Sequence, residues 1–225
     1  MESSTLTRTL GGLHTPLLTI TNDSIENSKK RTVIICGRIH PGETNASWII
    51  HGVINFLISK AAKPLRDALV FKIVPMVNPD GVVAGNYRTS FIGKDLNRLY
   101  LEGNSEKEAK YSRINEILKP EITAMQKLIK DCKSEENSKG LLAFVDMHQH
   151  SQKRGAFMYG PSYKMHNSKY LEVRVLPKII DNLLGDMFRF QSCKFKNQSY
   201  KENCARLYCD NEVGVTYSYC LECSS

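Results

Sequence analysis

Long hydrophobic runs are what this sequence has least of. No apolar stretch approaches the roughly 20 residues that a membrane-spanning helix needs, so no membrane reading arises from these residues. The amino end, Met1-Glu2-Ser3-Ser4-Thr5, shows no basic segment followed by an apolar one. Dense basic blocks, aromatic-interleaved RNA motifs and zinc-finger spacings are also missing, so the net charge of +8 does not point to nucleic acid. It suits a solvated basic surface or an acidic substrate. There are no internal repeats and no low-complexity segments, hence no sign of an internal boundary. With 225 residues, 41% hydrophobic and 24% charged, the chain is expected to form one α/β domain with a sizeable core. Cysteine is not scarce, but the seven form an odd set. They are expected to be reduced thiols in a cytoplasmic protein.

Two stretches carry chemistry. An apolar, β-branched run, Thr32-Val33-Ile34-Ile35-Cys36, leads into Ile39-His40-Pro41-Gly42-Glu43, and a helical pattern begins near Asn45. That order reads as strand, sharp turn and helix. It places His40 and Glu43 beyond a strand's carboxyl end, where open α/β sheets bind ligands. An imidazole nitrogen and a carboxylate oxygen three positions apart suit Zn²⁺, and a catalytic zinc wants a third protein ligand. The second stretch, Leu141 to Ser151, again runs from an apolar strand into polar residues and offers His148 and His150. Alternation by two puts both on one face, so spacing does not choose between them.

The remaining chain reads as follows. Pro16 to Thr21, Leu69 to Val74, Gly155 to Tyr159, Phe188 to Lys196 and Gly214 to Glu222 are expected strands. Helices are expected from Asn45 to Ser59, Ser105 to Lys133 and Lys169 to Met187, with Pro120 and Pro177 as disruptions. The first helix should bury Trp48, Ile49, Val53, Phe56 and Leu57, with His51 a helix residue rather than a ligand. Pro64 to Asp67 reads as a turn, and Gln198 to Asp210 as irregular. Residues 78 to 98 form a long polar loop with two arginines, Arg88 and Arg98, whose planar forks suit carboxylates. Glu222 is a carboxylate at the end of an apolar strand, suited to act as general base beside a metal. Cys220 and Cys223 flank it as C-x-x-C, but an offset of three on a strand turns the two thiols to opposite faces.

Taken together, LLTITN (17–22), RIHPGETNASW (38–48), VFKIVPMVNPDGVVAGNYRTS (70–90), GKDLNR (93–98), VDMHQHS (145–151), FMYG (157–160) and YSYCLE (217–222) resemble the zinc carboxypeptidases, in particular their cytosolic carboxypeptidase branch. The resemblance spans nearly the whole chain. It implies a single α/β domain with a mixed, mostly parallel twisted sheet flanked by helices. It also implies one zinc per chain, held by His40, Glu43 and His148. Glu222 is then the general base, and Arg88 polarises the scissile carbonyl. Asn97 and Arg98 grip the terminal carboxylate. Arg206 matches a family arginine of the side-chain pocket, with Lys194, Lys196 and Lys201 as rivals. The branch removes acidic residues, chiefly C-terminal and side-chain glutamates of tubulin and similar proteins. Gln149 stands where the family usually has glycine, and family members continue beyond the point matching Ser225, so this domain is expected to be short at its carboxyl end. Two alternatives use the same residues: a metallocarboxypeptidase with a non-acidic preference, and a non-catalytic module that grips acidic tails. A bare binding module has no use for Glu222 beside an open metal. Oligomeric state is not encoded in these patterns.

Overall fold

The computed structural model describes residues 1–101, 117–134, 139–197 and 203–224. Seven strands form one sheet: β1 (Glu2–Arg8), β2 (His14–Ile20), β3 (Arg31–Gly37), β4 (Leu69–Val74), β5 (Leu141–His150), β6 (Ala156–Tyr159) and β7 (Tyr217–Ser224). Their spatial order is β1-β2-β4-β3-β5-β7-β6. The central strands β4, β3, β5 and β7 run parallel, and the outer strands β1, β2 and β6 pair antiparallel. The sheet is therefore mixed with a parallel centre, as the resemblance implied. Among the described residues, the α-helices that accompany it include α1 (Thr44–Ile58), α2 (Lys63–Ala68), α3 (Pro79–Val83), α4 (Pro120–Ser134), α5 (Lys169–Leu184) and α6 (Ala205–Asn211). Among the described residues, no helix is long and apolar enough to cross a membrane.

Apolar residues on successive positions of β3 go to opposite faces, as pleating requires. Ile34 and Cys36 join Phe144, Met125, Ile129 and Tyr208 on the side of α4 and α6. Ile35 joins Ile50, Phe71, Ile73 and Met147 on the side of α1. A smaller cluster of Met158, Phe188 and Tyr219 packs against Leu176 and Ile180 of α5. Both faces of the central strands are thus covered, which explains their predominantly apolar sequence.

Several local expectations are corrected. α1 buries Ala46, Ile50 and Leu57, whereas Trp48 is 72% exposed and Phe56 51% exposed. Positions 46, 50 and 57 lie on one helical stripe, and Trp48 sits about 200° around the helix from Ala46. Pro64 to Asp67 lies within α2, because Pro64 occupies a first-turn position where its missing N–H costs nothing. The stretch 78–98 contains α3, capped by Asn78 Oδ1 accepting from the Gly81 N–H at 2.9 Å. Of the expected helix Ser105 to Lys133, residues 105–116 lie outside the described residues; residues 117–118 are helical, Lys119 is not, and α4 begins at Pro120, so the break expected at this proline is present. Pro177 is accommodated within α5, which ends at Leu184 before Gly185 adopts φ +53. The expected strand from Phe188 to Lys196 is a short 3₁₀ turn, Phe190–Ser192, with single bridges at Phe188 and Lys194. Part of the expected irregular segment is helical, as α6. An edge strand, β1, escaped the sequence reading because its residues are polar and mostly exposed.

Candidate metal and substrate site

β3 ends at Gly37, and Arg38 takes a left-handed φ of 56° that turns the chain sharply. The Arg38 guanidinium is buried and clamps the turn. It donates to Pro41 O through Nε (3.0 Å) and Nη2 (2.7 Å), and to Ser47 Oγ (2.8 Å). The Asn78 amide donates to Ile39 O at 3.1 Å. Gly42 is needed because a Cβ there would lie 2.4 Å from Tyr87 Cδ2. These ties carry His40 and Glu43 to the end of the sheet, just ahead of α1. The neighbouring parallel strand β5 brings His148 to the same place.

His40, Glu43 and His148 are all buried, and their ligand atoms lie within 4.8 Å of one another. His40 Nδ1 is 2.7 Å from Glu43 Oε1, and His148 Nδ1 is 2.8 Å from Glu43 Oε2. The two Nδ1 atoms are 3.2 Å apart. Behind the rings, His148 Nε2 meets Asp146 Oδ2 at 2.7 Å and His40 Nε2 meets Asp95 Oδ1 at 3.2 Å. A carboxylate on Nε2 holds the proton there and leaves the Nδ1 lone pair facing the group. Two nitrogen lone pairs and a carboxylate converging in a buried spot suit a single zinc ion. The expected ligand trio therefore converges, and the choice that spacing left open falls to His148. His150 lies outside the trio: its Nδ1 accepts the Gln152 and Lys153 N–H groups at 3.1 and 3.3 Å.

The charges are mutually adjusted. Burial raises the Glu43 carboxyl, but its close contacts with the His148 and His40 rings outweigh this and hold it well below the usual range. Burial lowers the His148 imidazole, and the Asp146 charge more than offsets it, so the group lies well above its usual value. Gln149 buttresses the trio: its N–H donates to Glu43 Oε2 (3.1 Å), while its Oε1 accepts from the Asn45 N–H (3.1 Å).

A cavity of about 280 Å³ opens beside the trio, and every other residue expected in the site lines it: Arg88, Asn97, Arg98, Arg206 and Glu222. Glu222 stands opposite His148 in the β5–β7 register, and Cys220 Sγ lies 3.6 Å from its Oε1. Arg88 binds Asp95 Oδ2 through Nε at 2.9 Å and Nη2 at 2.8 Å. Asn97 is committed within the protein, its Oδ1 accepting from the Ala205 N–H (3.0 Å) and its Nδ2 donating to Asp146 (3.4 Å). Arg98 donates to Asn97 O (2.8 Å). Arg206, on α6, is buried and donates to Gly160 O (2.7 Å). Lys194 and Lys196 do not line the cavity, and Lys201 lies outside the described residues. None of the seven cysteines is joined in a disulfide. Burial pushes the Cys220 thiol up to about 12, and Cys223 points away, donating to His148 O at 3.1 Å. The C-x-x-C spacing thus forms no dithiol.

The sequence reading missed Asp95 and Asp146 as supports of the histidines. For Asp146 the signal was present: in Asp146-Met147-His148, residues two apart on a strand share a face. Asp95 had no such local signal.

The zinc carboxypeptidase family model matches residues 1–225. The chain belongs to that family. Cytosolic carboxypeptidase 2 of Homo sapiens is 40% identical over 227 residues, covering 97% of this chain and 23% of the human protein. Cytosolic carboxypeptidase 2 of Xenopus tropicalis is 38% identical, covering 97% of this chain and 22% of its own. Cytosolic carboxypeptidase 4 of Mus musculus is 38% identical, covering 97% and 20%. This zinc carboxypeptidase chain thus spans about a quarter or less of those relatives' length. Among solved structures, a metallo-carboxypeptidase from Burkholderia cenocepacia superposes with a TM-score of 0.78 at 23% identity, over 99% of this chain and 55% of that one. The carboxypeptidase A of Helicoverpa armigera gives 0.68 at 17% identity, over 99% and 59%. These two likenesses speak for the fold.

Proposed function

We propose that the protein is a zinc-dependent metallocarboxypeptidase that removes C-terminal residues, by preference glutamates, from acidic protein tails such as polyglutamylated tubulin. The observation that carries this reading is the single cavity shared by the His40–Glu43–His148 trio, three arginines and Glu222. Held by His40, Glu43 and His148, a zinc ion would supply the Lewis acid that makes water nucleophilic near neutral pH. Glu222 takes the proton of the attacking water and returns it to the leaving amine. Arg88 donates to the developing oxyanion, a contribution of about 3–4 kcal/mol in comparable sites. Arg98, with Asn97 fixing its backbone approach, binds the terminal carboxylate that an exopeptidase must recognise.

The acidic preference rests on Arg206. Its guanidinium carries five N–H donors, and among the described residues it makes one hydrogen bond, to Gly160 O. A buried cation with donors left over suits a substrate carboxylate and is poorly served by an apolar side chain. The net charge of +8 favours acidic tails at longer range. A cytoplasmic setting agrees with seven cysteines outside any disulfide and with relatives named cytosolic.

The test is hydrolysis of two peptides by the zinc-loaded protein, one ending in a run of Glu and one in Lys or Leu, beside a Glu222→Gln variant. Glutamate release is expected from the first peptide, reduced about 10²–10⁴-fold in the variant. Release from the Lys or Leu peptide alone would remove the acidic preference. Undiminished release by the variant would remove Glu222 from its role.

A further inference from the structure

We infer that Asp95 is a positioning residue that couples the metal trio to Arg88 through the two oxygens of one carboxylate. The inference rests on the reading above, in which His40 holds zinc and Arg88 serves the substrate carbonyl. Oδ1 meets His40 Nε2 at 3.2 Å and accepts the Asn97 N–H at 2.9 Å. Oδ2 accepts from Arg88 Nε at 2.9 Å and Nη2 at 2.8 Å. The same side chain therefore touches the metal side, the carboxylate-binding turn and the oxyanion side of the cavity. Its own side chain is only 18% exposed, while that of Arg88 is 44% exposed. Among the described residues Arg88 has no other hydrogen-bond partner. A long exposed arginine left alone samples many rotamers, and this two-point, charge-assisted contact selects one.

The coupling follows from shared charge. A histidine that binds metal through Nδ1 keeps its proton on Nε2 and donates it to the carboxylate behind it. Here that donation draws on the same negative charge that holds Arg88. Strengthening one hold weakens the other. When a substrate carbonyl draws Arg88 away, Asp95 becomes the better acceptor for His40 and the trio tightens its grip on zinc. Because such coupling is reciprocal, Arg88 must influence zinc affinity although it is no ligand.

The experiment is a double-mutant cycle read as zinc affinity, by competition with a chromophoric chelator, with near-ultraviolet circular dichroism checking the fold of each protein. The four proteins are wild type, Asp95→Asn, Arg88→Ala and the double variant. Asparagine keeps an oxygen to accept from the Asn97 N–H, and caps such turns as well as aspartate does, but it brings no charge to Arg88. Asp95→Asn is expected to weaken zinc binding about 10–100-fold. Arg88→Ala is expected to tighten zinc binding several-fold when Asp95 is present and to change it little in the Asp95→Asn background. Equal effects of Arg88→Ala in both backgrounds would overturn the coupling. So would unchanged zinc affinity in the single Arg88→Ala variant, which alters an exposed side chain and does not depend on Asp95→Asn folding. Failure of the wild-type protein to bind zinc would instead remove the metal reading, and the inference with it.

Discussion

Glu121→Gln is predicted to stabilise the protein most at alkaline pH and by only about a quarter as much at pH 5. Glu121 stands in the first turn of α4 and is 3% exposed. Its carboxyl is pushed up from 4.5 to about 7, mainly by burial, with the Asp80 charge adding to it and its own backbone N–H opposing. The unfolded chain gives up this proton near 4.5, whereas the folded chain keeps it to about 7. Between those values the folded state binds more protons, so stability falls as pH rises and the loss is complete above about 7. At 1.36 kcal/mol per unit the ceiling is about 3 kcal/mol. Glutamine keeps the shape and removes the charge. For a chain of this size that corresponds to a Tm gain of roughly 6–12 °C at pH 8. The assay is thermal unfolding by circular dichroism at pH 5, 6.5 and 8 for both proteins. Parallel pH profiles for wild type and variant would refute the argument, because they would show that Glu121 ionises alike in both states.

Other expectations concern the site. Glu43→Gln should weaken zinc binding by more than the 10–100-fold typical of a residue behind the ligands, measured by calorimetric titration; a smaller change would exclude Glu43 as a ligand. Arg206→Gln should cut the preference for a terminal Glu over Leu by about 10²-fold, since hydrogen bonds to a charged partner contribute about 1.5–3 kcal/mol each. Comparing kcat/KM for two peptides tests this, and an unchanged ratio would move the specificity elsewhere. Gly42→Ala should lower both Tm and kcat/KM, because the added Cβ would lie 2.4 Å from Tyr87 Cδ2 and 2.9 Å from Tyr87 O and so displace the segment bearing Arg88. Overpacking of this kind costs about 1–3 kcal/mol.

The sequence alone determined the strands of the sheet's centre and where two of them deliver chemistry. β3, β4 and β5 are covered on both faces, so they appear as predominantly apolar runs, interrupted by Lys72 in β4 and polar from Asp146 in β5. His40 and Glu43 are close in the chain, so their pairing is local and visible. The polar loop 78–98 singled out Arg88 and Arg98, the end of the last strand singled out Glu222, and Arg206 came with the family resemblance. Tertiary structure decided what depends on distant partners. β1 is a strand because β2 pairs with it, not because its polar residues favour one. α1 turned Ala46 and Ile50 inward and left Trp48 outside, since the sheet beneath α1 takes small and branched side chains and its largest hydrophobic residue was not the one covered. Alternation left His148 and His150 equivalent, and the β5 register beside β3 brought only His148 to Glu43. Asp95 lies 55 residues from His40, and only folding sets its two oxygens between that ring and Arg88. Local periodicity records which face of an element is apolar, but a polar contact between separate loops leaves no period to read.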